Sequence, residues 1–205
     1  MGQGQLTGGG TAGNERLTAA TGIMLVVLLA VVGVTLLRLR SLISIHLFVG
    51  LMLIPPLALK LASTGYRFVR YYTSNPVYRA KGAPPIVLRL SAPIVVASTL
   101  AVLGTGVALL LLGPASSGAL RGLHKLSFIV WAAFISIHLL GHLPDLQKTF
   151  LIRRGDRLEY NDLAGGNMGR IISLAGALIG GAVLAIVLIP HFGAWSHFEA
   201  FRIHH

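Results

Sequence analysis

The amino-acid sequence predicts an all-α polytopic membrane helix bundle with five transmembrane helices. Three observations carry that expectation. The 205 residues are 54% apolar and only 11% charged, where an ordinary globular domain carries about 25% charged residues. The mean hydropathy is +0.76. The charges also bracket five uncharged apolar stretches, at 17–37, 41–59, 90–120, 126–144 and 171–198. Each is close to or above the roughly 20 residues that carry a helix across a bilayer. Soluble-enzyme classes are excluded on this pattern.

Residues 1–16, MGQGQLTGGGTAGNER, are glycine-rich and polar and read as a disordered tail. A transmembrane bundle follows over 17–190, with helices expected at about 18–37, 42–62, 92–113, 124–143 and 170–190. In lipid the backbone must bond to itself, so helices are the form these runs take. Pro55 and Pro56 should kink the second helix. Pro93 suits the first turn of the third and Pro114 its exit. The aromatic segment 191–205, HFGAWSHFEAFRIHH, is expected to lie at the membrane surface.

Loop charge sets the expected orientation. The side holding the amino terminus carries twelve Lys and Arg residues and the other side five. Positive loops stay in the cytoplasm, which places the amino terminus inside and the carboxyl terminus outside, in a membrane such as the bacterial cytoplasmic one. The formal charge of +11 is therefore topological, and nucleic acid is not an expected partner. In the inner loop 63–91, arginines alternate with Tyr66, Phe68, Tyr71, Tyr72 and Tyr78. That pattern fits rings at headgroup depth with arginines on anionic lipid, and it also fits a docking surface for a soluble partner. The chain has no cysteine, which removes thiolate metal sites and covalently attached haem. No cleaved signal peptide is expected, since no A-x-A-like site closes the first stretch. No internal repeat is evident.

The chemistry lies in the histidines. His46 falls in the second stretch, and His124, His138 and His142 lie in or beside the fourth. An ionisable residue in a span is costly and marks function by default. His124 and His138 are 14 residues apart, which at about 100° per residue falls some 40° short of four turns and at about 1.5 Å per residue separates them by about 21 Å. They share a face at two depths. The second and fourth helices run in the same direction, so an iron held by imidazoles from both is a chemically sensible arrangement.

With LHKLSFIVWAAFISIHLLGH at 123–142 and SLISIHLFVGLMLIP at 41–55, the chain resembles the transmembrane di-haem b families: cytochrome b561-like proteins, ferric reductase-like membrane domains and the haem helices of respiratory cytochrome b. The resemblance covers roughly residues 20–145. It implies a haem-binding four-helix core, haem b as cofactor, His46, His124 and His138 as candidate iron ligands, and an electron-transfer role between a quinol or other reductant and a partner oxidoreductase subunit. The sequence departs from the pattern at Lys60. It stands to His46 as His138 stands to His124, at a place where a histidine is expected. One outer haem is the simplest expectation and two remain open. His46 lies about seven residues deeper than His124 and about seven shallower than His138, roughly 10 Å either way. His124 is the favoured mate, because that register sets Lys60 against His138.

Alternatives stand beside each residue. Lys60 ligates an inner haem, approaches its propionates or snorkels to the headgroups. Arg38, Arg40 and Arg121 neutralise propionates or anchor the helix ends. His46 is also explained as an interhelical hydrogen-bond partner, His124 with Lys125 as interfacial polar residues, and His138 with His142 as a proton path toward Asp145 or as packing groups. Gly33, Gly50, Gly104 and Gly106 permit close helix contact or make room for a macrocycle. At the level of the whole chain the alternatives are a proton-coupled transporter that uses the histidines, and a cofactor-free anchor that docks a partner through the loops 63–91 and 145–169.

Overall fold

A computed structural model describes residues 10–79, 86–115, 118–151 and 166–201. Among these residues there is no strand, and five helical segments are long and apolar enough to cross a membrane: Gly13–Leu37, Leu39–Tyr72, Ile86–Leu112, Gly118–Gly141 and Asn167–His197. The protein is an all-α, multi-pass membrane chain. Its outer residues agree with that reading. Ile23, Leu37, Leu90, Leu140, Ile179 and Val187 are all strongly exposed, a surface that only lipid covers at no cost.

The helices, in chain order, are α1 (Gly10–Leu37), α2 (Leu39–Met52), α3 (Ile54–Tyr72), α4 (Pro76–Arg79), α5 (Ile86–Leu112), α6 (Gly118–Leu151), α7 (Asn167–Leu188) and α8 (Phe192–Phe201). They fall into two compact units. The first comprises residues 1–82 with 154–189, the second 83–153 with 190–205. In the first unit α1 packs antiparallel on α2 and α3, and α7 packs on the same arm. In the second unit α5 and α6 form a helical hairpin.

Several helix ends differ from the sequence expectation. α1 begins at Gly10, inside the stretch expected to be disordered. Contacts with α3 explain the extension: Asn14 Nδ2 donates to the Ser63 carbonyl at 3.1 Å, and Glu15 lies 3.5 Å from Arg67. α5 begins at Ile86, so Pro93 sits inside the helix rather than in its first turn. α6 continues to Leu151, past the expected end at 143. The exit of α5 is as expected. Gly113 adopts a left-handed conformation (φ 74°), its N–H bonds to the Leu109 carbonyl at 3.0 Å, and Pro114 follows. The aromatic tail is helical in α8, where Phe192 and Trp195 are buried and His197 is exposed, and the 3-10 turn Ile189–His191 before it leaves His191 exposed.

Pro55 and Pro56 divide the second span at Leu53, between α2 and α3. Pro56 has no N–H to offer the Met52 carbonyl, its helical partner four residues back. Gly181 of α7 lies directly on that carbonyl: a side chain at 181 would overlap its oxygen and stand 3.1 Å from both the Met52 carbonyl carbon and Cα. Gly180 sits against the Pro55 ring, with a Cβ there meeting ring carbons at 3.9 Å. The break and the fifth span are thus one packing unit. Gly181→Ala should lower the thermal unfolding temperature of detergent-purified protein by an amount equivalent to about 1–3 kcal/mol, the ordinary cost of overpacking. Gly176→Ala on the same helix, where a Cβ meets nothing within 4 Å, should leave it unchanged or slightly higher.

Candidate functional site

Each of the three candidate iron ligands is held by a hydroxyl on the neighbouring helix of its own unit. In the first unit His46 Nδ1 lies 2.9 Å from Thr35 Oγ1. In the second, His124 Nδ1 lies 2.9 Å from Thr105 Oγ1, and His138 Nδ1 lies 3.2 Å from Ser91 Oγ. All three rings are half-buried, while Thr35 and Ser91 are buried. The expectation that His46 serves as an interhelical hydrogen-bond partner is met in this form, and the same bond is found at His124 and His138.

At two of the three rings the hydroxyl decides the tautomer. A Thr or Ser hydroxyl has one proton to give. Thr35 directs its proton to the Val32 carbonyl at 2.5 Å and Thr105 to the Ala101 carbonyl at 2.6 Å. Ser91 makes a longer bond of 3.4 Å to the Leu88 carbonyl. At Ser91 the bond to His138 is the shorter of the two, so its proton has either partner; at Thr35 and Thr105, where the backbone bond is short, the hydroxyl oxygen accepts and imidazole Nδ1–H donates to it. That leaves the lone pair of the neutral ring on Nε2, the nitrogen that coordinates when the other one is anchored. The ring of His124 is also seated by Gly106, where a Cβ would come within 3.3 Å of its Cε1. Gly33, Gly50 and Gly104 adjoin open space, with nothing within 4 Å of a Cβ built on them.

Lys60 is tied to α1. Its Nζ donates to the Thr18 carbonyl at 2.6 Å. Around this bond lies a small polar cluster: Ser63 Oγ donates to the Lys60 carbonyl at 3.0 Å, and Thr18 Oγ1 donates to Ser63 Oγ at 3.0 Å. Thr18 lies nearer the amino-terminal end of α1 than Thr21, so the ammonium is drawn toward the end of the span, as a snorkelling lysine is.

Arg38 and Arg40 flank the start of α2 and are exposed, and Arg121 is half-buried on the first turn of α6, one turn before His124. His142 lies on α6, but its side chain and that of Asp145 fall outside the described residues, as do the loop residues 152–165. Among the described residues no three His, Asp or Glu side chains form a group that could hold a metal ion. A haem iron asks less, since the macrocycle supplies four of its ligands and the protein at most two.

The aromatic residues of α3 and α4 form their own cluster. Tyr66 and Tyr78 meet edge-on at 6.1 Å, Phe68 and Tyr72 lie 4.5 Å apart, and the Arg70 guanidinium sits 5.9 Å from the Tyr66 ring centre. Burial, and then the neighbouring Tyr66, push the Tyr78 phenol above its ordinary range. The exposed Tyr66, Phe68 and Tyr72 suit a headgroup-level belt.

The hydroxyl partners were missed at the level of sequence, although a signal was present. The interval from Thr21 to Thr35, and that from Ser91 to Thr105, equals the interval from His124 to His138 that singled out those two rings. A comparison of the chain with protein-family models, with curated proteins and with solved structures finds no match to any of them.

Thr105→Val removes the hydroxyl partner of the His124 ring and should destabilise the protein by about 0.5–1.5 kcal/mol, the net worth of one hydrogen bond, because the Val102 carbonyl stays beside the ring. Thr105→Ser, which keeps the hydroxyl, should recover most of it. Thermal unfolding of the two variants in one detergent reads the difference.

Proposed function

We propose that this chain is a membrane-embedded haem b electron-transfer subunit. The observation that supports the reading is the repeated anchoring of imidazoles in the spans: His46, His124 and His138 each have Nδ1 on a hydroxyl of the neighbouring helix, an anchoring that suits coordination through Nε2. The donor chemistry fits a b-type haem. Neutral imidazoles are good axial ligands for haem iron, and the absence of cysteine excludes thiolate ligation and covalent attachment. When bound, haem supplies one-electron chemistry. The chain's own residues fix ring orientation through Thr35, Thr105 and Ser91 and surround the rings with apolar helix.

The chain carries no flavin or nicotinamide fingerprint in its sequence, so the reading includes a separate redox partner, and a membrane quinol is a chemically suitable reductant. The arginine and tyrosine residues of α3 and α4 suit an inner surface facing anionic lipid and that partner. The amino terminus is on the inner side in this reading. Two other readings compete with it. A cofactor-free anchor uses the same imidazole–hydroxyl bonds only for helix packing, and a proton-coupled transporter uses the imidazoles to move protons.

An absorption spectrum of purified protein decides among them. The haem reading predicts a Soret band and dithionite-sharpened α and β bands, with haem lost on His46→Ala and on His124→Ala. Colourless protein, or full haem retention in both variants, contradicts it. Orientation is checked separately. A single cysteine introduced at position 83, in the inner loop, should resist an impermeant thiol reagent in right-side-out vesicles and react in inverted ones.

A further inference from the structure

The turn from α3 into α4 leaves two polar atoms unmet. Among the described residues three buried side-chain nitrogen or oxygen atoms have no hydrogen-bond partner, and two of them, Arg70 Nε and Asn75 Oδ1, lie here. The backbone brings the two residues together, because the Asn75 N–H donates to the Arg70 carbonyl at 3.1 Å. Ser74, beside Asn75, is left-handed (φ 61°). It folds α4 back toward α3, and the Asn75 carbonyl accepts the Arg79 N–H at 3.0 Å. Tyr78 of α4 thereby meets Tyr66 of α3 edge-on, and the Arg70 guanidinium stands 5.9 Å from the Tyr66 ring centre. The neighbouring arginines have partners: Arg67 lies 3.5 Å from Glu15, and Arg79 Nη1 donates to Ser74 Oγ at 3.4 Å.

A buried donor and a buried acceptor without partners are costly and ask for an explanation. A ligand that brings both an acceptor and a donor meets them together. Depth says which class of ligand. The second span, Leu39–Tyr72, has 34 residues, about 51 Å of helix against about 30 Å of hydrocarbon. Its far end, with the exposed Tyr66, Phe68 and Tyr72, therefore stands at headgroup depth. Charge alone draws any anionic headgroup to arginine, and a phosphate oxygen meets Arg70 Nε. A phosphodiester has no proton to give, so it leaves Asn75 Oδ1 unmet. A headgroup that continues from its phosphate to a primary ammonium supplies that proton, and tyrosine rings such as Tyr66 and Tyr78 attract the same cation. Quaternary choline has the charge but no N–H.

We propose that Arg70, Asn75 and the Tyr66–Tyr78 pair form a lipid-headgroup site for phosphoethanolamine. Arg70 holds the phosphate and Asn75 Oδ1 accepts a proton from the ammonium. Tyr66 is 53% exposed, and a swing of that ring opens Arg70 to the headgroup. The site selects by an N–H donor and not by net charge. That separates it from the general attraction of arginine-rich loops for anionic lipid, and it holds whether or not the chain carries haem.

The test is lipid retention by the purified full chain in native mass spectrometry. The added phospholipids share their acyl chains and carry phosphoethanolamine, its N-methyl and N,N-dimethyl forms, phosphocholine or phosphoglycerol. Phosphoethanolamine lipid should be retained roughly fivefold over phosphocholine lipid, about the worth of one hydrogen bond. The drop should fall at the last methylation, which removes the final N–H. Phosphoethanolamine lipid should also be retained over phosphoglycerol lipid. Asn75→Leu should abolish the preference over phosphocholine, and Arg70→Gln should lower retention of every lipid, with circular dichroism showing that both variants are folded. The methylation series on wild type needs no variant. Equal retention of phosphoethanolamine and phosphocholine lipid overturns the proposal. So does a preference for phosphoglycerol lipid, the mark of a surface that reads charge alone, or a phosphoethanolamine preference that folded Asn75→Leu keeps.

Discussion

An imidazole surrounded by hydrocarbon must give its N–H to something, and much of this structure is arranged around that need. Hydrocarbon offers no acceptor, and an unmet buried donor costs more than most packing contacts return. The chain meets the need at His46, His124 and His138 with a Thr or Ser hydroxyl on the antiparallel neighbour. The consequences reach beyond the bond. It fixes which helix faces meet and which residue lies opposite which, and at His46 and His124 it fixes the tautomer. Ring orientation and a lone pair on Nε2 follow from an interaction that is local and uncharged.

The remaining packing shows how such helices hold together without a hydrophobic driving force between them. Close approach by glycine takes its place. Gly181 lies on the Met52 carbonyl, which Pro56 deprives of its helical donor, and Gly106 seats the His124 ring. Lys60 follows the same economy of polar contacts. Its ammonium finds a backbone carbonyl one helix away and joins the cluster of Thr18 and Ser63.

The five spans were legible because hydropathy reports the lipid boundary, and stretches such as 17–37 and 90–120 are unambiguous in that respect. Helix ends were not, because a helix does not stop where lipid does. α1 starts at Gly10 on contacts made by Asn14 and Glu15 with α3, which no local pattern encodes. α5 runs back through Pro93 to Ile86, well before the expected first turn. The histidines were legible as rare polar residues in apolar runs. Their partners were not, since threonine and serine in a membrane helix ordinarily bond to their own backbone and leave no mark on hydropathy. Only the recurrence of the histidine interval at Thr21 with Thr35 and at Ser91 with Thr105 tied them to the histidines, and that link needs helix register to be seen.

The claim on which the functional account turns is that anchored imidazoles in this bundle are iron ligands and not packing groups. Electron paramagnetic resonance of the oxidised, purified protein tests it most directly, because the signal reports the axial ligands themselves. The account predicts a low-spin ferric signal of bis-imidazole type that Thr105→Val perturbs and Thr105→Ser restores. A sample with no haem signal, or a high-spin signal indifferent to both substitutions, would contradict it.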